Sequence, residues 1–460
     1  MGDVGKDQKS PLLESLYQPP HKRTGTLWSA VAHIITGVIG SGVLSLAWSM
    51  AQLGWFAGPL AMIIFASVTL VSAFLLSDCY KSPDPEHGPH RNLSYLDAVR
   101  MNLGEKRAWL CGFFVHINLY GIGIAYTITS AISMRAIQEA NCYHEKGHDA
   151  ACNFAYTHYM LIFGIIQIFM SQIPNMHETK WVSAVAAVMS VTYSFITLGL
   201  GVAHVVGNGV VKGSIGGAPA STVMEKVWLV AQALGDIAFA YPYSLILIEI
   251  QDTLKSPPSE SLTMRRASTI SLAVTTSFYL LCGGFGYAAF GNNTPGNLMT
   301  GFGFYEPYWL LDLANACIAI HLVGGYQVFS QPLFAAVDRW FSENFPENEF
   351  VNSSHSLRVP MLPSFRVNLF RLCFRTLYVA STTSIAIVFP YFNQVLGVIG
   401  ALMFWPLSIY FPVDMYLIQR NIPNWSAWWI ALQTFTWVGL LVTLFALAGS
   451  IEGLVTAKLK

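Results

Sequence analysis

The sequence predicts an all-α integral membrane protein with about 11 transmembrane helices, arranged as two five-helix repeats of inverted topology plus one further helix. Three observations carry this reading. Only 11% of the 460 residues are charged, 53% are hydrophobic and the mean hydropathy is +0.47, whereas a soluble domain carries roughly 25% charged residues. The apolar residues gather in runs near the ~20 residues that a helix needs to cross ~30 Å of hydrocarbon. Two of those runs, five spans apart, are damaged at mid-length, which is the mark of carriers built from inverted repeats. The inversion itself leaves no trace in the residues.

The expected spans are 26–53, 55–79, 108–137, 157–174, 181–206, 226–250, 267–290, 307–334, 371–389, 391–417 and 427–450. They divide the chain into a cytosolic tail over 1–25, a first repeat over 26–206, a second over 226–417 and an additional helix over 427–450. The tail is polar and lacks an apolar core, so no cleaved signal is expected. Trp55, Trp228, Trp309, Trp425 and Trp428 stand at span edges, as an interfacial belt requires. With the N-terminus inside, the cytosolic segments hold 19 of the 25 Lys and Arg residues, including Arg23, Lys81, Arg91, Arg265, Arg358, Arg375 and Arg420. This asymmetry places the N-terminus in the cytosol and the C-terminus outside.

Composition also excludes several functions. The formal net charge is zero, so no attraction to nucleic acid is expected. No Walker A sequence, catalytic triad, carboxylate pair or Cys/His metal spacing occurs, so neither an ATP-driven pump, an enzyme nor a metal protein is expected. Of the seven cysteines, five fall in or beside apolar runs, while Cys142 and Cys152 share a polar loop. The orientation puts that loop on the oxidising face, where these two are expected to form a disulfide.

The damaged spans carry the chemistry. The first contains HIITGVIGSGVLSLAWSMAQLG, with Gly37, Gly40 and Gly42 within about one turn. Three glycines cost about 2–3 kcal/mol of helix propensity relative to alanine. At 1.5 Å per residue they lie roughly 15–22 Å into the span, near the midplane. The sixth span contains QALGDIAFAYPYSLILIEI, where Pro242 lacks an N–H and leaves a carbonyl near residue 238 without its partner. A zwitterion needs N–H donors for its carboxylate and carbonyl acceptors for its ammonium, and an unwound helix supplies both.

The stretches GTLWSAVAHIITGVIGSGVLSLAWSMAQLGW, LGDIAFAYPYSLILIEIQDTLKSPPSE, GYAAFGNNTPGNLMTGFGFYEPYWLLDLANACIAIHLVGGYQVFSQPLFA and GALMFWPLSIYFPVDMY resemble the plant amino acid permease family of the amino acid/auxin permease group. The resemblance covers about residues 24 to 450. It implies a LeuT-like fold and proton-coupled import of neutral and acidic amino acids at the plasma membrane, with no cofactor besides the coupling proton. It further implies that Gly40, Ser41 and Gly42 hold the substrate carboxylate and that carbonyls of Ala238, Phe239 and Tyr241 take the ammonium. Phe239, Tyr243 and Tyr120 are the side-chain contacts it suggests. Pro242 departs from the serine common among such relatives.

Ionisable groups inside spans each cost roughly 2.5–3.5 kcal/mol on insertion scales and so need a reason. Asp236, close to the second break, is expected to bind the ammonium or carry the proton. Asp312 shares a helix face with Asn315 and is a candidate for the outer pathway. His33, on the stripe of Gly37 and Gly40, and His321 are candidates for a proton relay. The alternatives on the same scaffold are a carrier of an auxin-type carboxylate and an amino acid sensor that does not transport.

Overall fold

The computed structural model describes residues 23–147, 149–172, 180–303, 307–353, 355–357 and 365–459. The tail up to residue 22, and Arg358 of the cytosolic basic set, lie outside these residues. Fourteen helices longer than one turn follow in order among them: α1 (Leu27–Val38), α2 (Leu46–Asp78), α3 (Tyr95–Leu103), α4 (Glu105–Lys146), α5 (Tyr156–Ser171), α6 (Lys180–Asn208) and α7 (Val223–Ala240). Then come α8 (Ser244–Asp252), α9 (Glu260–Phe290), α10 (Tyr308–Asn344), α11 (Leu369–Val388), α12 (Phe392–Trp405), α13 (Phe411–Gln419) and α14 (Ala427–Leu459). Two small antiparallel hairpins, Lys81–Ser82 with His90–Arg91 and His355–Leu357 with Phe365–Val367, are the only sheets among the described residues.

Eight stretches are long and apolar enough to cross a membrane, and α1 and α5 are shorter apolar helices. On α5, Leu161, Ile162, Ile165 and Phe169 are exposed; on α14, Trp437, Val438, Leu441 and Leu444 are. Such continuous apolar faces are not tolerated in water and fit a hydrocarbon surround.

The run α2 contains a reversal. Gly54 sits at φ +84°, a conformation costly for any residue with a side chain. A Cβ built on Gly58 would lie 3.3 Å from the Met50 Cα, whereas eight residues of straight helix rise about 12 Å. The chain therefore folds back at Gly54, and residues 46–53 complete the first span. The carbonyls freed there are capped: Ala218 N–H donates to Ala51 O at 2.6 Å and Lys226 Nζ to Gln52 O at 2.6 Å.

The packing has an internal symmetry. Contact of α1 with α9 is matched by α7 with α2, contact of α4 with α12 by α10 with α6, and contact of α5 with α10 by α11 with α4. Each pair is converted into the other by exchanging a span with the one five further along, while α14 packs outside the scheme on α7 and α12. The expectation about the cysteine loop needs one correction. Cys142 lies within α4, which runs to Lys146, and only Cys152 lies in the loop beyond. Polar residues extend that helix past the apolar span because water satisfies its last turns. The two sulfurs are joined in a disulfide.

Candidate binding site at the paired helix breaks

Helical bonding fails in both predicted places. In the first span, α1 ends at Val38, Gly40 takes φ −130° and ψ −149°, and a 3-10 turn over Ser41–Leu44 leads into α2. In the sixth, α7 ends at Ala240, and Tyr241, Pro242 and Tyr243 separate it from α8. The first amides of the 3-10 turn have no acceptor within it, and the last carbonyls of α7 have no donor within theirs. The breaks meet in space: a Cβ on Gly42 would lie 3.0 Å from the Ala240 Cα and 3.4 Å from Phe239 Cδ1. Glycine is therefore the residue that lets the two interrupted backbones touch.

A small cavity, partly open to solvent, lies at this junction. Gly40, Ser41, Gly42, Ala238, Phe239 and Tyr243 all line it. The Ser41 hydroxyl is buried and has no hydrogen-bond partner, whereas that of Tyr243 faces Ser268 of α9. Opposite the breaks stand Asn118, Ile122 and Tyr126 of α4, Phe329 of α10 and Ile399, Met403 and Phe404 of α12. No lining residue carries a formal charge at neutral pH. The site therefore offers peptide dipoles, hydroxyls and one carboxamide within an apolar shell.

The other predicted residues lie elsewhere. Tyr241 is fully buried against Tyr279, with ring centroids 5.3 Å apart. The Tyr120 hydroxyl donates to Ser381 Oγ at 2.9 Å, away from the cavity. Six residues along a helix turn the side chain by about 120°, so Tyr126 rather than Tyr120 reaches the site. Asp236 is 0% exposed, yet it faces Gly397 of α12 and Ser450 of α14 instead of the cavity. It does not line the cavity, and α7 contacts Gly397 and Gly400 of α12 there. His33 is exposed on α1, one turn before Gly37, which does line the cavity. His321 is buried with Nδ1 2.8 Å from Ala186 O. Asp312 accepts from Asn141 at 3.0 Å, remote from the breaks.

Two tyrosines missed by the sequence reading stabilise the unwound backbone. The Tyr279 hydroxyl on α9 lies 2.8 Å from Val38 O and 3.2 Å from Ala240 O, so one phenol bridges both breaks. The Tyr193 hydroxyl on α6 donates to Gly40 O at 2.9 Å. A tyrosine deep in an apolar span was the available signal, because a buried hydroxyl seeks a partner, but sequence could not say which carbonyl it finds.

Leu298, Met299 and Phe302 are buried and do not line the cavity. Within it α1 and α8 form one wall, with Gly37 against Ile246, while Asn118, Leu407 and Ser408 form the facing wall. The two half-helices are tied together, since Gly25 N–H donates to Thr253 O at 2.9 Å and Lys255 N–H to Gly25 O at 3.1 Å. Arg23 and Lys81 both bind Glu260, and Arg265 and Arg420 both bind Asp78.

A membrane bundle whose interrupted helices enclose a small cavity backed by peptide groups defines a carrier of small molecules. Two solved structures share this fold at low identity. One is Mhp1, described as a nucleobase-cation-symport-1 family transporter, at TM-score 0.54 and 13% identity over 95% of this chain and 93% of that one. The other is MhsT in complex with L-phenylalanine, at TM-score 0.55 and 10% identity over 92% and 98%. The fold is LeuT-like. The chain belongs to the transmembrane amino acid transporter protein family, which matches residues 23–456. Among its relatives, probable amino acid permease 7 of Arabidopsis thaliana is 56% identical over 99% of both chains. Amino acid permease 3 of the same plant is 55% identical over 94% of this chain and 91% of its own length. The protein is an amino acid transporter, not an enzyme.

Proposed function

We propose that this transporter is a proton-coupled symporter importing neutral and acidic amino acids across the plasma membrane by alternating access. The observation that carries the reading is the junction of two unwound backbones at one cavity without charged side chains. Amides of Ser41 and Gly42, with the Ser41 hydroxyl, take the carboxylate. Carbonyls of Ala238 and Phe239 take the ammonium. The substrate side chain projects among Ile122, Tyr126, Phe329, Met403 and Phe404. Lysine and arginine find no counter-charge there, whereas neutral side chains do not need one, and glutamate is favoured where protons are abundant.

The two five-helix units, 26–206 and 226–417, and the additional helix give eleven crossings, with the N-terminus cytosolic and the C-terminus outside. In that orientation the cavity opens towards the cytosol. The paired half-helices α1 and α8, locked at Gly25, move as one body against α4 and α13 to expose the other side. The driving force is adequate, because 100 mV supplies ~2.3 kcal/mol per charge and each pH unit ~1.4. His33, His321, Asp312 and Asp236 are the titratable groups from which the proton carrier is drawn.

Expression in oocytes tests this. Neutral amino acids should evoke inward currents that grow as external pH falls, with matching uptake of label. Surface protein giving neither current nor uptake would sink the reading, and stronger competition by indole acetate than by alanine would redirect it to an auxin-type carboxylate.

A further inference from the structure

The carboxyl of Asp236 is the least explained group in the molecule. It is 0% exposed, the Asn393 carboxamide is the polar group that reaches it, and no charged group acts on it. Around it stand other buried polar atoms. Asn393 of α12 is beside it, 5% exposed, with its carboxamide turned to the Asp236 carboxyl and no other hydrogen-bond partner. Gln232, one turn earlier on α7, is 2% exposed with Nε2 unpartnered. Ser450 of α14 is 0% exposed, and its hydroxyl donates to Ala446 O at 2.8 Å, leaving its oxygen free to accept.

Three helices converge on this group through glycine. A Cβ on Gly397 would lie 2.6 Å from Ser450 Oγ and 3.0 Å from Asp236 Oδ1, so both oxygens flank one point on α12. A Cβ on Gly235 would lie 2.7 Å from both Gly397 O and Ser450 Oγ, and one on Gly453 2.3 Å from Gln232 Oε1. Space that does not admit a methyl group does not admit a hydrated cation. The elements packed on α7 supply no counter-charge either. α12 has no titratable side chain, and α2 has only Asp78 at its far end. α14 has Glu452, which accepts from Thr456, and Lys458, which donates to Val388 O, while α7 itself has Glu225 and Lys226 in its first turn.

We infer that Asp236, with Asn393, Gln232 and Ser450, forms an occluded proton-binding site outside the substrate cavity. Bare, the carboxylate faces a large desolvation cost that the neutral Asn393 amide offsets only in part. Carrying a proton, it donates to the Asn393 oxygen or to Ser450 Oγ and accepts from the amide of Gln232 or Asn393. Release of that proton therefore requires α12 and α14 to part from α7. The same α12 backbone touches the break: a Cβ on Gly400 would lie 2.5 Å from Phe239 N and 2.3 Å from Gly235 O. Movement that opens the proton site thus shifts the carbonyls offered to the substrate.

This inference rests on the proton-coupled reading, and the experiment separates the two. Wild-type protein and the variants Asp236→Asn and Asn393→Ser are compared in oocytes for uptake, charge moved per substrate and pH dependence, with exchange of labelled amino acid measured in proteoliposomes. If wild type shows no pH dependence, or needs sodium at fixed pH, the coupling ion is misassigned and the proton reading fails. Given proton-coupled wild type, Asp236→Asn should keep exchange while its charge per substrate falls near zero and its pH profile flattens. Asn393→Ser should move the pH of half-maximal transport by about one unit, a tenfold change in proton affinity, without abolishing transport. Wild-type charge movement and pH profile in Asp236→Asn overturn the inference. Should that variant lose exchange as well, Asn393→Ser decides, and an unmoved pH profile there is the overturning result.

Discussion

Replacing Tyr279 by phenylalanine removes one oxygen from the most shared contact of the binding region. The phenol is 0% exposed and lies 2.8 Å from Val38 O and 3.2 Å from Ala240 O. It has a single proton, so it holds one carbonyl fully and the other by a shared, longer bond. The ring that remains preserves the packing against Tyr241, so the bundle should still assemble. What changes is that two buried carbonyls at the breaks lose their donor, at a cost of about 1–3 kcal/mol. Because the bond joins the first span to the sixth through α9, that cost falls on the conformation in which both breaks are aligned for substrate. At ~1.4 kcal/mol per tenfold, apparent affinity should weaken by roughly 5- to 140-fold. Tyr193→Phe, which frees only Gly40 O, should cost less. The assay is the concentration dependence of uptake, paired with direct binding of labelled amino acid to purified protein. A Tyr279→Phe variant with KM, maximal rate and binding all within twofold of wild type would refute the reasoning.

Gly42→Val should abolish uptake while leaving protein at the cell surface, since the added atoms meet Ala240 at 3.0–3.1 Å and crowd the carboxylate amides; substrate binding at unchanged affinity would contradict this. Cys142→Ser opens the link to Cys152 and should lower stability by about 2–4 kcal/mol with little effect on KM, read from thermal unfolding of purified protein with and without reductant. Asp78→Ala leaves Arg265 and Arg420 without the carboxylate they share at 2.6 and 2.9 Å. Both guanidinium groups are about two-fifths exposed, so the loss should be nearer 1–2 kcal/mol than the full cost of a buried pair, measured as a lower melting temperature by size-exclusion after heating. Gly54→Ala forces a side chain into φ +84°, against Ile215 O at 2.1 Å, and should sharply reduce the yield of folded protein.

Much of the architecture could be read from the chain because a bilayer allows few solutions. Apolar run length gave the helices, and three glycines in the first span and Pro242 in the sixth marked where helical bonding fails. Helix ends were less legible. Cys142 falls inside α4, because residues beyond the hydrocarbon can continue a helix in water. Side-chain roles were the least legible. Tyr120 and Tyr126 differ only by rotation about one helix, and the rotation is set by neighbours. Asp236 stands at the right depth, yet it does not line the cavity.

By itself, then, the sequence determined that the protein lives in a membrane and which two of its spans break, since these follow from local backbone chemistry and the absence of water. Only the tertiary structure decided that Tyr279 joins the breaks, that Gly42 touches Ala240 and that Asp236 is enclosed by Gly397 and Ser450. Each of those contacts links residues more than 30 positions apart, and which faces meet is fixed by packing of the whole bundle rather than by any one helix.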